Sequence, residues 1–239
     1  SGGGRFPGNM ADVTAVTRDR EGRLWMAAKS KGLHRYNPKT REWADLATKV
    51  KDFSQLAASS DRVWALANGT LYMADGDKEP QVANLPPMIP MMKPTRLFAA
   101  TDSSGVVLLD DDGRVVHIRD EGTSAIIVGA KAEGLINPKL VKSVGLLGDV
   151  AVLGGPNPHR YDALSRTWTK LDKIVGDVKQ IVTSQDQFWL LNTDGKVFSV
   201  GTIGQAVDVS PLGGNIQTLA GASKQLVAHT SDNLSLIHI

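Results

Sequence analysis

Hydrophobic residues along the chain come in short runs separated by turn residues, and only one stretch recurs at helical spacing. The clearest pattern covers residues 19–46. There an apolar run after Gly22 is followed by a turn, a strand ending in Asn37-Pro38 and a last strand that carries Trp43. Short apolar runs bounded by Gly, Asn and Pro are typical of antiparallel strands joined by tight turns. This stretch therefore predicts one small antiparallel sheet.

The same pattern returns about every 40 residues, which is the period of several repeat architectures. The residue that starts the apolar run in each copy is Trp25, Trp64, Val107, Ala151, Trp189 or Val227, at intervals of 39, 43, 44, 38 and 38 residues. Solenoid repeats of this length are helical, whereas units of four short strands are typical of propeller blades. The sequence therefore predicts an all-β fold, a six-bladed β-propeller of four-stranded antiparallel blades.

A tight turn follows the anchor strand at the same offset in five copies. These turns are Lys31-Gly32, Asn68-Gly69, Asp112-Gly113, Asp194-Gly195 and Asp232-Asn233. Gly, Asn and Asp tolerate the positive φ that short hairpins require. A fourth strand is predicted at 42–46, 81–85, 124–128, 167–171 and 206–209. Because no sixth copy of it follows, the last blade is expected to be incomplete or closed by a terminal segment.

The repeats also set the expected domain organisation. Residues 1–11 are interpreted as a leader or tag, because Ser1-Gly2-Gly3-Gly4 has no strand pattern. Residues 12–239 are predicted to form a single β-propeller domain, and the strand-like sequence at its end indicates a fragment of a longer protein. The predicted blades lie near 12–46, 47–86, 87–130, 131–172, 173–213 and 214–239.

Three tryptophans, Trp25, Trp64 and Trp189, occupy the same position of the repeat and are predicted to be structural anchors packed between neighbouring blades. One segment favours a helix instead, because Leu46, Val50, Phe53 and Ala57 recur at helical spacing. We interpret 53–59 as the first strand of the second blade, because Trp64 follows at the repeat spacing. A short helical turn near 46–52 is left open.

Composition narrows the classes of partner. The 239 residues are 41% hydrophobic and 22% charged, and 27 basic residues face 25 acidic ones, so the net charge is +2. Charges this balanced do not predict a nucleic-acid partner. The absence of cysteine excludes disulfides, thiolate metal sites and cysteine nucleophiles. No run of about 18 apolar residues is present, so membrane insertion of this domain is not expected.

Candidate chemistry is sparse, and the sequence predicts no catalytic residue, no cofactor and no metal site. Asp110-Asp111-Asp112-Gly113 is interpreted as a hairpin turn, because Arg119 stands where a calcium loop needs Glu. The five histidines lie at different offsets from their anchors, which favours packing or surface positions: His34, His117, His159, His229 and His238. No nucleophile-elbow, Walker A or zinc-protease motif occurs. We therefore expect a protein that is not an enzyme.

The least regular segment, 84–94, is the predicted partner-binding loop. It contains four prolines and three methionines. Proline stiffens an extended segment, and methionine offers adaptable apolar surface for a protein or small-molecule ligand. The residues assigned to partner binding are Pro87, Met88, Ile89, Met91 and Met92. The alternative is that this loop folds back and plugs its own propeller.

Residues 12–36 carry a family resemblance. Asp19-Arg20-Glu21-Gly22-Arg23-Leu24-Trp25 and Gly32-Leu33-His34-Arg35-Tyr36 resemble the propeller repeat in periplasmic sensor regions of bacterial two-component regulators. They are also similar to repeats of streptogramin-lyase-like proteins and AvrE-type effectors. The resemblance implies a non-catalytic binding or sensory module of a larger bacterial protein, periplasmic or secreted. Two alternatives stay open: a secreted effector domain that docks a host protein, or a propeller lyase or glycoside hydrolase acting at the axial channel mouth.

Overall fold

The computed structural model describes residues 4–46, 49–60, 62–74, 79–83, 95–100, 105–110, 114–119, 124–128, 138–144, 150–209, 215–222, 224–230 and 234–237. Over these residues the chain consists of short β-strands and one 3-10 helix, Met10–Asp12. The all-β prediction is confirmed. The strands fall into two compact units, Ser1–Val128 and Gly129–Ile239.

The described part of the first unit forms three antiparallel sheets of four consecutive strands each. Its strands are β1 Val13–Arg18, β2 Leu24–Ala28, β3 Gly32–Asn37, β4 Glu42–Asp45, β5 Phe53–Ala58, β6 Val63–Ala67, β7 Thr70–Ala74, β8 Gln81–Val82, β9 Thr95–Ala100, β10 Val106–Asp110, β11 Val115–Arg119 and β12 Ser124–Val128. Sheet 1 contains β1–β4, sheet 2 contains β5–β8 and sheet 3 contains β9–β12.

The second unit repeats this order over the residues that are described. Its strands are β13 Leu140–Val144, β14 Val150–Gly154, β15 His159–Asp162, β16 Thr167–Lys170, β17 Val178–Ser184, β18 Gln187–Asn192, β19 Val197–Val200, β20 Val207–Asp208, β21 Ile216–Ala222, β22 Gln225–Thr230 and β23 Leu234–Ile237. Sheets 4 and 5 are the four-stranded β13–β16 and β17–β20, and sheet 6 is the three-stranded β21–β23. The number of blades and their predicted boundaries stay predictions.

Turn chemistry explains the hairpins between the second and third strands. Gly32, Gly69 and Gly195 all have φ of +77°, and Asn68 has φ of +50°. A β-carbon makes this region costly for most residues, and glycine and asparagine occupy it most readily. The turn prediction is confirmed at these positions. The turns predicted at Asp112-Gly113 and Asp232-Asn233 lie outside the described residues.

The helical spacing near residue 50 has a packing explanation. Phe53 begins strand β5, as we interpreted it, and pairs with Ala67. Leu46 and Val50 precede this strand and pack into the same hydrophobic cluster as Phe53. A connecting segment and a strand therefore bury side chains together and imitate the period of a helix.

The three repeat tryptophans are buried on the second strand of their sheets. Trp25 lies in a cluster with Phe53 and Val63 of sheet 2. In the same way, Trp64 packs toward sheet 3 and Trp189 toward sheet 6. Each indole therefore fills the space between its own sheet and the following one, which is why a bulky ring recurs at this offset.

Side chains on the first strands link neighbouring sheets within each unit. Gln180 on β17 bonds β21 twice: its Nε2 donates to the carbonyl of Leu219 at 2.7 Å, and its Oε1 accepts from the same residue's N–H at 2.8 Å. In the first unit, Thr14 Oγ1 donates to the carbonyl of Phe53 at 2.7 Å. These bonds satisfy backbone groups that a strand edge would otherwise leave unpaired.

Candidate binding surfaces

The partner-binding residues chosen from the sequence cannot be placed. Pro87, Met88, Ile89, Met91 and Met92 all lie outside the described residues. The candidate surfaces described below therefore come from other parts of the chain.

The structure places several of the residues considered for metal binding. His34 and His159 are buried on third strands, and His229 is exposed on β22. Asp110 accepts a hydrogen bond from the Arg114 N–H at 2.8 Å, as a hairpin requires. Within the part of the chain that the structure describes, no group of three or more His, Asp or Glu residues is placed to hold a metal ion. None of its helices has the length and apolarity needed to cross a membrane.

Asp19 organises the turn between β1 and β2. Its Oδ1 accepts from the backbone N–H groups of Glu21 and Arg23 at 3.0 and 2.9 Å. Its Oδ2 accepts from Arg23 Nε at 2.7 Å and from the indole N–H of Trp25 at 2.8 Å. One carboxylate therefore closes the turn and pairs the only polar atom of the buried indole side chain. A polar cleft of about 200 Å³ lies beside this turn and borders Ser59, Ser60 and Arg62 of sheet 2.

These contacts change the acidity of Asp19. Burial alone would raise the pKa of Asp19, but the hydrogen bonds from Trp25 and Arg23 and the positive charge of Arg23 hold the pKa below its ordinary value of 3.8. A carboxylate whose pKa is lowered by folding stabilises the folded state above its unfolded pKa, and this stabilisation is lost as the pH falls through the folded pKa.

We expect Asp19→Asn to lower the free energy of unfolding by about 1–3 kcal/mol at neutral pH, because the amide Nδ2 cannot accept from Arg23 or Trp25. Urea titrations of both proteins measure the difference. It should shrink as the pH falls below about 4, where the carboxylate of the unfolded chain is protonated, and should be lost as the pH falls through the lower pKa of the folded state. Asp172→Asn is the control, because Asp172 is exposed and its nearest ion pair, with Lys170, is 3.6 Å long. Equal effects of the two changes would contradict this role for Asp19.

A second surface, the sheet 5 groove, lies in the second unit and has a volume of about 250 Å³. Three segments line it: the connection before β17, strand β19 with the turn that precedes it, and strand β20, the last of sheet 5, with the residue before it. The lining residues are Lys173, Val175, Lys196, Phe198, Ala206, Val207 and Asp208. Phe198 and Ala206 are buried at its base, whereas Val175 and Val207 are 70% and 58% exposed. The groove thus joins apolar surface to two ammonium groups.

A buried asparagine holds the groove in shape. Asn192 is fully buried and donates from Nδ2 to the carbonyl of Val175 at 2.6 Å. Its Oδ1 accepts from the N–H groups of Asp194 and Lys196 at 3.1 and 2.9 Å. Gly176, which follows Val175, has φ of +86°, where a side chain would be strained. An exposed valine and an exposed lysine are therefore positioned by the same buried amide.

Sequence reasoning missed both surfaces for different reasons. Asp19 had a local signal, because it stands in the turn six residues before Trp25. The groove had none, because Lys173, Lys196 and Val207 come from three separate segments whose approach depends on how sheet 5 folds.

Comparison with known proteins defines the fold. No family model matches the sequence, and no curated protein matches it. Among solved structures, streptogramin B lyase matches with a TM-score of 0.71 and 11% identity, over 99% of this chain and 86% of that chain. YCF48 bound to D1 peptide matches with a TM-score of 0.64 and 13% identity, over 91% and 75%. The extracellular domain of the one-component system BT4673 from B. thetaiotaomicron matches with a TM-score of 0.66 and 14% identity, over 97% and 35%.

These neighbours are β-propeller proteins, so the predicted β-propeller fold is confirmed. Identities this low show the fold alone. What each neighbour binds or transforms is a property of that neighbour.

Proposed function

We propose that this chain is a non-catalytic binding module, part of a larger bacterial protein, that recognises an extended peptide in the sheet 5 groove. The peptide carries an acidic residue between apolar side chains. The observation that supports this most directly is the groove itself, where exposed valines and two lysines surround a buried apolar base.

The apolar part of the groove supplies the attraction. Val175 and Val207 expose large side chains at its rim, and Phe198 lies below them. Covering such surface gains about 25 cal/mol for each Å² removed from water. A peptide side chain that contacts both valines would therefore be attracted by the apolar surface that it removes from water.

The charges select the peptide. Lys173 and Lys196 line the groove together with one acidic residue, Asp208, so its described lining has an excess positive charge. Ammonium groups at an open rim attract a carboxylate modestly, by about 0.2–1 kcal/mol per pair, and salt screens the attraction. The charge therefore favours an acidic peptide over a neutral one of the same shape.

Preorganisation lowers the cost of binding. The Asn192 amide already bonds the backbone beneath Val175 and beside Lys196. Groups held in place before binding lose less conformational entropy when a ligand arrives. Two of the neighbours support the general class of function: YCF48 is known with a bound peptide, and the BT4673 domain is the extracellular domain of a one-component system.

The test compares two peptides, acetyl-Val-Asp-Leu-Glu-Val-amide and its neutral counterpart acetyl-Val-Asn-Leu-Gln-Val-amide, by NMR titration of the full chain. We expect the acidic peptide to bind about fivefold more tightly and to shift the signals of residues in the groove. The double variant Lys173→Gln/Lys196→Gln should remove this preference. Raising the salt concentration should weaken it in the wild type.

The matched control is Lys179→Gln/Lys224→Gln, which removes the same charge at exposed positions of the second unit outside the groove. This control should keep the preference for the acidic peptide. Equal binding of the two peptides, or equal losses in both double variants, would contradict the proposal.

A further inference from the structure

An aromatic slot lies on sheet 1 between His34 on β3 and Trp43 on β4. The ring of Phe6 occupies it, with its centroid 5.4 Å from the His34 ring and 5.1 Å from the Trp43 ring, and meets both edge to face. Tyr36 borders the slot, 5.1 Å from Trp43. The slot is on the face of β3 opposite to Arg35, whose guanidinium lies 5.6 Å above the Trp25 ring.

Sheet 4 carries the same motif and serves as an internal reference. Residues 34–43 and 159–168 share His, Arg, Tyr, Arg and Trp at the same five positions of ten. In both sheets the tyrosine pairs with the tryptophan across the third and fourth strands. In sheet 4, however, the rings of His159 and Trp168 contact each other directly, with centroids 6.1 Å apart. Sheet 1 differs in having the Phe6 ring in contact with both partners.

The two sheets also differ in hydrogen bonding. His34 Nε2 donates to the carbonyl of Lys31 at 3.1 Å, so the neutral ring leaves Nδ1 as an acceptor. That Nδ1 and the indole N–H of Trp43 are both buried without a hydrogen-bond partner. In sheet 4, His159 Nδ1 bonds the carbonyl of Asn157 at 2.8 Å, and neither His159 nor Trp168 leaves a buried nitrogen unpaired.

Buried polar atoms are paired in the great majority of cases, so an exception requires an explanation. The two residues that carry this acceptor and this donor contact the same aromatic ring, that of Phe6. Phe6 supplies the ring but has no group that could bond either atom. A phenol supplies the ring, a donor and an acceptor, because its hydroxyl can donate to His34 Nδ1 and accept from the Trp43 N–H.

We propose that this slot is a binding site for a phenolic ring, which the chain's own Phe6 occupies in the structure. The site is separate from the sheet 5 groove and does not depend on the function proposed for it. Its polar partners are His34 and Trp43, and its lining consists of the rings of these two residues with Met26 and Ala28, while Tyr36 borders it.

Phe6 anchors its segment to sheet 1, where it packs in a buried cluster with Met26 and Ala28. Phe6 is the one buried residue among residues 4–12. Gly4 before it has φ of +104°, and Gly8 after it lies so close that a β-carbon there would be 2.8 Å from the Phe6 ring. A ligand therefore competes with a single side chain, and its apparent affinity falls by the fraction of time that Phe6 occupies the slot.

The first experiment uses the full chain with Phe6→Ala, which empties the slot, and two probes of equal shape, p-cresol and p-xylene. Titration calorimetry should give p-cresol a dissociation constant about tenfold lower, because only p-cresol bonds the two nitrogens. Wild type should bind p-cresol more weakly than the variant does, since Phe6 competes. Equal affinities for the two probes, or no binding of p-cresol to the emptied slot, would overturn the proposal.

Matched variants separate the slot from general effects of losing an indole. In the Phe6→Ala background, Trp43→Phe should reduce the preference for p-cresol to about threefold or less, because one hydrogen bond is lost. Trp168→Phe makes the same change in sheet 4 and should leave the preference unchanged. If Phe6→Ala does not fold, the wild-type chain decides: p-cresol must shift the indole N–H signal of Trp43 in NMR spectra at lower concentrations than p-xylene does.

Peptides identify the source of the phenol. Acetyl-Gly-Arg-Tyr-Pro-Gly-amide copies the chain around Phe6 with tyrosine in its place, and the same peptide with phenylalanine is its control. Tighter binding of the tyrosine peptide than of p-cresol would indicate a tyrosine side chain of a protein partner. Tighter binding of p-cresol would indicate a small phenol. Binding of the phenylalanine peptide at least as tight as that of the tyrosine peptide would overturn the proposal.

Discussion

Replacing Trp189 by alanine is expected to lower the free energy of unfolding by about 3–5 kcal/mol. The indole is buried and packs with Ile216, Leu219 and Leu226 of the following sheet. Its N–H donates to the carbonyl of Ser184 at 3.1 Å, and removal of the ring leaves that carbonyl without this bond. Because native domains are stable by about 5–15 kcal/mol, this one substitution should remove a large part of the total.

Urea titration measures this effect as a shift of the unfolding midpoint. Trp189→Phe keeps most of the ring and should lose less than Trp189→Ala, since it forfeits mainly the hydrogen bond and part of the volume. Leu164→Ala is the surface control, because Leu164 is 97% exposed, and it should change stability by no more than about 0.5 kcal/mol. An unchanged midpoint for Trp189→Ala would show that the indole does not stabilise the contact between sheets 5 and 6.

Replacing Gly221 by alanine is expected to cost about 2–4 kcal/mol, although the change adds only one carbon. A β-carbon at this position would lie 2.6 Å from the carbonyl oxygen of Thr183. That oxygen belongs to the backbone of β17, which pairs with β18 along its length. Relief of the clash therefore requires two first strands to move apart, and the bonds between Gln180 and Leu219 would be stretched with them.

Gly201→Ala makes the same substitution without the clash. Its β-carbon would come no closer than 3.7 Å to another atom, the carbonyl oxygen of Ile203. We expect it to change stability by no more than about 0.5 kcal/mol, and thermal unfolding monitored by circular dichroism compares the two variants directly. Similar melting temperatures for both variants would mean that β17 and β21 do not approach as closely as described.

The two substitutions differ in how far the sequence anticipates them. The importance of Trp189 follows from its place in the repeat, because an indole returns at the same offset as Trp25 and Trp64. The importance of Gly221 does not, because nothing near it in the sequence indicates that Thr183 lies against it. The close approach of two backbones about 40 residues apart is a property of the tertiary structure. A glycine in an apolar strand does not by itself indicate which backbone lies against it.

The binding surfaces show the same division. Asp19 stands near Trp25 in the sequence, so its hydrogen bond to the indole could be inferred from the turn. The sheet 5 groove could not, because Lys173, Lys196 and Val207 meet only after the strands pair. The aromatic slot lies between these cases: the repeated His-Arg-Tyr motif is visible in the sequence, but the entry of Phe6 between His34 and Trp43 is not.

By itself the sequence determined the all-β fold, the order of strands within each repeat, the hairpin glycines and the buried tryptophans. These features depend on neighbours within a few residues, where alternation of side chains and backbone φ preferences act. Only the tertiary structure decided which side chains from separated segments share a surface, and which nitrogens are buried without partners. Such contacts depend on how whole sheets pack, and a local sequence pattern does not contain that information.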